Sequence, residues 1–326
     1  MRNITALSSA LILVACSGGG GGSTGSGSIV TPTPTPSPSA SASPTPTPSP
    51  TASYTKFADL TGDLTLASAC TAIRITAPPI VSPASLPDQG LAFTYASGAQ
   101  SWGVTGDGLA LTFTAAERDP TLPTQVIGYN KTSSTPTERL RIATVGIGTT
   151  PAEYFRTATV TANAPGANGR NYTCIVGVKT LVTDAPAGTT FNFPNSRIAG
   201  FLFRVAPPGG GAQVQYSMNN TTVGFDVNLA TGEVKLVIHL IGSPNPAGSG
   251  ADVDFGTLTG IADIDPATGA YYGTSWTSPD MAITFPQVSG RFFGPQGKES
   301  GYVLTLIANK PDGSQIYISG SGVALR

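Results

Sequence analysis

The segment 221–241, "TTVGFDVNLATGEVKLVIHLI", decides the fold. In its first half Val223, Phe225, Val227 and Leu229 alternate with Thr222, Gly224, Asp226 and Asn228, the period-two pattern of a half-buried strand. In its second half Val234, Leu236, Ile238 and Leu240 share one face, and Lys235, Val237, His239 and Ile241 share the other. Between them lies Ala230-Thr231-Gly232, whose glycine supplies the positive φ of a tight hairpin. The same Ala-Thr-Gly recurs at 267–269, between "DFGTLTGIADI" and "AYYGTSW". Two hairpins of one chemistry in succession make a meander.

Working outward from it, strands are predicted near 198–205, 213–217, 222–229, 233–241, 252–261, 270–276, 281–293, 301–309 and 314–324. Eight or nine antiparallel strands on short loops lose their exposed edges by closing into a barrel. Upstream, "LALTFT", "RLRIATV", "YFRTATVTA" and "YTCIVGVKTLV" read as further short strands, and after Tyr54 no stretch of helical period escapes a Gly or Pro. The fold class is therefore all-β: an eight-stranded antiparallel barrel over 191–326, preceded by a second β-rich subdomain over 54–190.

The N-terminus has a different character. Arg2 is followed by an apolar run from Ala6 to Ala15, about half of the roughly 20 residues a membrane span needs, so 1–15 reads as a secretory signal. Leu13-Val14-Ala15-Cys16 resembles the lipobox of bacterial lipoproteins at every position, which implies a lipid on the Cys16 thiol. Ser17 in place of Asp is, by the same resemblance, a signal for the outer membrane. Residues 17–53 hold almost only Gly, Ser, Thr, Pro and Ala, and no charge. They read as a disordered stalk, whose Thr-Pro and Ser-Pro alternation over 31–50 favours polyproline II and a reach of about 60 Å.

About 270 residues from Tyr54 onward are ample for a core. Residues 54–190 carry nine basic and nine acidic side chains, and 191–326 carry seven and nine. This balance argues against nucleic acid as a partner, because that binding neutralises phosphates with Lys and Arg. With Cys16 assigned to lipid, Cys70 and Cys174 remain; in an exported chain the pair suggests one disulfide, with two free buried thiols as the alternative.

Chemistry is sparse. The single histidine, His239, lies mid-strand beside Lys235, and no nucleophile elbow accompanies it; a haem ligand is the sharper alternative to a plain strand residue. Asp252, Asp254, Asp263 and Asp265 are the only acidic cluster, but "DIDPATG" has turn chemistry and lacks EF-hand spacing. "APPGGGAQ" over 206–213 is followed by no Lys-Ser/Thr and reads as a surface loop, not a phosphate cradle. No enzyme, metal or cofactor is expected from these residues.

The stretch 289–306, "SGRFFGPQGKESGYVLTL", remains. Pro295 must end the strand that carries Phe292 and Phe293, Gly294 and Gly301 allow sharp reversal, and Glu299 is placed to accept backbone N–H bonds across the loop. Phe292, Phe293, Gly294, Pro295, Glu299 and Gly301 match a strand-and-turn signature that resembles transferrin-binding-protein-like surface lipoproteins; Gly297 and Tyr302 depart from it. The resemblance covers about 190–326. It implies a structural role for those six residues, a small eight-stranded barrel, and a handle domain upstream. It further implies an iron carrier, haem or a haem protein as ligand, with delivery to an outer-membrane transporter. Polar loops at 204–213, 240–252 and 273–280 are the candidate binding surface, with Trp276 as a candidate anchor. A structural or adhesive envelope protein, and a lipocalin-like carrier with a hollow barrel, are the competing functions. Large inward aromatics would argue against the hollow barrel.

Overall fold

The structure, a computed structural model, describes residues 53–133, 137–163, 169–186, 188–246 and 250–326. The predicted signal segment 1–15, Cys16 and the Pro-rich segment lie outside them.

The C-terminal strands close. Thr190–Phe193 and Asn195–Val205 form one wall strand, and Val214–Ser217 with Thr222–Asn228 forms the next. Their register is continuous across both breaks, from Thr190↔Asn228 and Phe193↔Phe225 to Leu202↔Tyr216 and Arg204↔Val214. Glu233–Pro244, Val253–Asp265, Ala270–Thr277, Ala282–Phe293, Glu299–Asn309 and Gln315–Leu325 follow, each antiparallel to its predecessor. The last strand pairs with Asn195–Val205 along its whole length, from Asn195↔Leu325 to Val205↔Gln315, and completes an eight-membered ring. Strands predicted to stop at 241 and 261 run on to Pro244 and Asp265, because bulges at Leu240/Ile241 and Ile261/Asp263 break the alternation without ending the pairing.

The ring is filled. Phe225, Phe255, Tyr271, Phe292 and Tyr302 all point inward and are buried with the Val234, Leu236, Ile238 and Leu240 face of the opening segment. Three of the large rings have glycine as cross-strand partner: Tyr302↔Gly322, Tyr271↔Gly290 and Trp276↔Gly260. A Cβ on those glycines would lie 2.0, 2.3 and 2.3 Å from the ring atoms, so each ring occupies space that only glycine leaves. This core removes the lipocalin-like reading, which needs an empty lumen.

Upstream, a four-stranded sheet (Leu64–Leu66, Ala92–Ala96, Ser101–Gly106, Leu109–Phe113) faces a six-stranded sheet ordered Ile80–Ser82, Ala69–Arg74, Arg170–Gly177, Phe155–Ala162, Glu138–Ala143, Val126–Lys131. Phe93, Trp102, Val104 and Phe113 from one sheet meet Leu140, Val160, Tyr172 and Val176 from the other. Cys70 and Cys174 are direct cross-strand partners within this sandwich and are joined by a disulfide spanning 104 residues. Part of the other face of the six-stranded sheet is buried too. Its odd-numbered residues, Ala69, Thr71, Ile73, Phe155 and Ile175, lie on the outward, odd-numbered face of the last three barrel strands, which carries Phe293, Val303, Tyr317, Val323 and Leu325. Strands Glu299–Asn309 and Gln315–Leu325 are thus buried on both sides, which explains why they read as nearly uncharged runs.

The segment "KTLV" at the end of the predicted strand 172–182 leaves the sheet at Gly177. Lys179 instead forms an isolated bridge to Phe293.

Candidate functional site

An up-and-down barrel sorts its loops by parity. Loops 206–213, 278–281 and 310–314 and the described ends 245–246 and 250–252 of another loop lie at one rim; loops 229–232, 266–269 and 294–298 lie at the other. All three loops singled out in the sequence fall on the first rim, which gains a fourth, Lys310-Pro311-Asp312-Gly313-Ser314. The sequence reading missed that one, although Pro-Asp-Gly between two apolar runs is a turn signal.

The rim is knitted from side chains. Arg204 donates to Asp312 Oδ2 at 2.7 Å and to Ser314 Oγ at 3.3 Å, tying the first wall strand to the fourth loop. Asn220 donates to Asp252 Oδ2 at 2.6 Å, and Asp280 Oδ2 accepts the Thr257 N–H at 2.8 Å. The Lys310 ammonium lies 5.5 Å above the Phe255 ring, which with Met281 seals the barrel beneath. His239 contacts Asp254 at 3.0 Å on the outer wall. Among the described residues no group of three metal-ligating side chains occurs, and Asp265 turns inward on its own loop, accepting Ala267 N–H and the Thr268 hydroxyl. Carboxylates outnumber fixed cations on this rim: Asp252, Asp254, Asp280 and Asp312 against Arg204 and Lys310. Asp252 is held below the usual carboxylate range by Ser243 and Asn220, Asp254 by His239 and the Gly256 N–H, and Asp312 by the Ser314 hydroxyl and N–H, so these three stay ionised.

Trp276 is not on this surface. The bulge at Ile261/Asp263 shifts the inward phase between Tyr271 and Trp276, so both rings enter the barrel, and Trp276 retains 8% exposure against Gly260.

The signature residues occupy the opposite end, where barrel meets sandwich. Phe292 packs in the barrel core, whereas Phe293 stacks on Phe155 with ring centroids 4.9 Å apart. Gly294, at φ 69°, lies so close to the Tyr154 ring that a Cβ on it would stand 2.3 Å from Tyr154 Cδ2, and its N–H donates to Val178 O at 3.0 Å. Glu299 does not bond across its own loop. Its carboxylate accepts the N–H groups of Glu153 and Tyr154 at 2.5 and 2.9 Å, from a bend 146 and 145 positions earlier. The turn at Pro295 points the glutamate away from that loop and into the sandwich. Asp88 adds a second link, accepting Lys179 Nζ at 2.6 Å and Arg291 Nη2 at 2.7 Å. Thr71 contacts the hydroxyls of Thr305 and Ser319, and Thr305 donates to Ser82 O at 3.0 Å.

No family model and no curated protein matches the chain. Among solved structures, a transferrin binding protein B mutant from Haemophilus parasuis Hp5 is similar over 79% of this chain and 45% of its own, with 12% identity and a TM-score of 0.40. The isotype 1 transferrin binding protein B from serogroup B Neisseria meningitidis is similar over 80% of this chain and 43% of its own, with 13% identity and a TM-score of 0.36. HpuA from Kingella denitrificans, in complex with human haemoglobin, is similar over 81% and 87%, with 12% identity and a TM-score of 0.33. The chain thus spans less than half the length of the first of these. The strand pairing, not this likeness, defines the fold.

Proposed function

We propose that the protein is a lipid-anchored surface lipoprotein of the outer membrane that captures an extracellular ligand on the loop rim of its barrel, without catalysis. The observation that carries it is the gathering of the polar loops 206–213, 278–281 and 310–314, with the described residues 245–246 and 250–252, on one rim of a barrel whose lumen is solid. A solid barrel holds nothing inside, so recognition belongs to its surface. Residues 54–190 serve as a handle, and the signature residues of 191–326 fix that handle to the barrel at the far end from the rim. Cys16 carries the lipid, and the Pro-rich segment lifts the unit from the headgroups.

The signature's resemblance to transferrin-binding-protein-like lipoproteins makes an iron-carrier protein, haem or a haem protein the ligand class, with an outer-membrane transporter as recipient. The acidic rim suits a ligand that presents basic groups there.

The test is direct. The full lipidated chain is challenged with transferrin, with haemoglobin and with free haem, read by surface capture for the proteins and by Soret absorbance for haem. Binding of one probe is expected, weakened at least about tenfold when loop 278–281 is replaced by Gly-Ser or when Asp312→Ala unties Arg204. Failure of every probe to bind, or binding indifferent to both changes, overturns the proposal.

A further inference from the structure

The end of the barrel opposite the loop rim holds a cleft of about 570 Å³ that the rim's function does not use. Both Ala-Thr-Gly hairpins border it, lying side by side with the Ile264 N–H donating to Gly232 O at 2.7 Å. Across from them runs the 180–186 segment as it leaves the sandwich. Four bonds pin it: Thr180 N–H to Phe292 O at 3.1 Å, the Thr180 hydroxyl to Gly294 O at 2.7 Å, Leu181 N–H to the Tyr54 hydroxyl at 2.9 Å, and Gln296 N–H to the Asp184 carboxylate at 3.0 Å. Phe292, Ile264 and Leu229 form the floor, and Leu181, Val182 and Pro186 the facing wall. Leu181 and Val182 are 49% and 52% exposed. Single exposed apolar residues need no explanation, but two in succession on a pinned turn above an apolar floor form a built concavity.

Charge selects the occupant. The lining contains Asp263 and Asp265 and no Lys, Arg or His. The Asp265 carboxylate is occupied by its own turn. Asp263 is exposed and stands directly opposite Glu233 across the strand pair, with Lys235 diagonal to it on the same face, so carboxylates exceed cations two to one around that position. An anionic amphiphile is repelled from such a mouth, and a cationic one is attracted.

We infer that this cleft binds a small amphiphilic cation, its apolar body on Phe292, Ile264 and Leu229 beneath Leu181 and Val182, its ammonium on Asp263. The volume lies within the roughly 300–1,000 Å³ of small-molecule sites, and barrel mouths are a usual place for them.

Calorimetric titration of the full chain at low ionic strength tests this with three probes of one shape: 4-phenylbutylamine, 4-phenylbutanol and 4-phenylbutanoate. The amine binds about tenfold or more tighter than the carboxylate, with the alcohol between. Asp263→Asn brings the amine to the alcohol's affinity and leaves the alcohol unchanged, and Val182→Ser weakens both by several-fold. Equal affinity of amine and carboxylate, no amine binding at millimolar concentration, or an Asp263→Asn variant that holds the amine like the wild type overturns the inference. Both positions are exposed and remote from the loop rim, so a variant that loses the amine while keeping its rim ligand separates the two sites.

Discussion

Glu299 is 1% exposed, and both of its carboxylate oxygens are committed to backbone N–H groups of the sandwich. An amide in its place can accept one of those bonds but turns a second N–H group toward the other donor. E299Q is therefore expected to destabilise by about 1–3 kcal/mol in chemical denaturation. Its pH dependence has a definite sign. Burial raises the Glu299 carboxyl above its ordinary range, against the pull of the Glu153 and Tyr154 N–H groups. A raised carboxyl holds its proton more tightly in the folded chain, so its stabilising contribution is complete below about pH 4.3 and fades as pH rises through the folded value. The Tm gap between wild type and E299Q should be widest near pH 4 and narrow toward neutrality; a gap that widens with pH contradicts this account. Tyr271 and Tyr302, both fully buried in the barrel, make a complementary pair. Tyr271 shares a 2.8 Å hydrogen bond with Ser300, whereas the Tyr302 hydroxyl is buried with no partner among the described residues. Removing a satisfied hydroxyl costs about 1 kcal/mol, and removing an unsatisfied one relieves a penalty. Y271F should lower Tm and Y302F should leave it unchanged or raise it, and equal losses in both would refute the assignment.

At the scale of elements, the barrel depends on rings laid over cross-strand glycines. A Cβ at Gly322 would lie 2.0 Å from Tyr302 Cζ, so Gly322→Ala forces the tyrosine out of its place and should cost about 2–3 kcal/mol. Tyr302→Ala empties the site and should cost about 3–5 kcal/mol. In the double variant the two losses should fall well short of their sum, since the added methyl then enters vacated space; additive losses would mean that ring and glycine do not share one space. This coupling also shows what was legible in the sequence. Alternation of Val234, Leu236, Ile238 and Leu240 fixed the strand and its inward face, because burial selects every second residue. The bulge at Ile261/Asp263 was not legible, because one extra residue leaves no composition signal while it flips the phase that carries Trp276 inside. Nor was the partner of Glu299, since a carboxylate states its need for donors but not which distant segment supplies them. The Ala-Thr-Gly loops were read as turns, yet their shared first residue went unseen: Asn228 accepts the Ala230 N–H at 3.0 Å as Asp265 accepts that of Ala267 at 2.9 Å.

Across the whole molecule, sandwich and barrel share a layer rather than merely touching. The six-stranded sheet has one face in the sandwich core and part of the other on the barrel wall, and the disulfide partners Cys70 and Cys174 sit in two of the strands that meet that wall. Thr71 and Ile175, next in sequence to the cysteines, face the barrel; Thr71 meets Thr305 and Ser319 there, and Ile175 packs in the cluster with Phe293 and Val303. Loosening the sheet therefore uncovers apolar surface on the barrel as well as in the sandwich. Closing a loop of 104 residues contributes about 4–5 kcal/mol in the chain-entropy model, which for a unit of this size corresponds to roughly 10 °C in Tm. Scanning calorimetry of the oxidised chain should give one endotherm, and the Cys70→Ala/Cys174→Ala variant should again give one, moved down by about that amount. If sandwich and barrel were independent, the variant would split into two endotherms with the barrel's unmoved. That result would show that the buried wall of Phe293, Val303, Tyr317 and Val323 does not couple them.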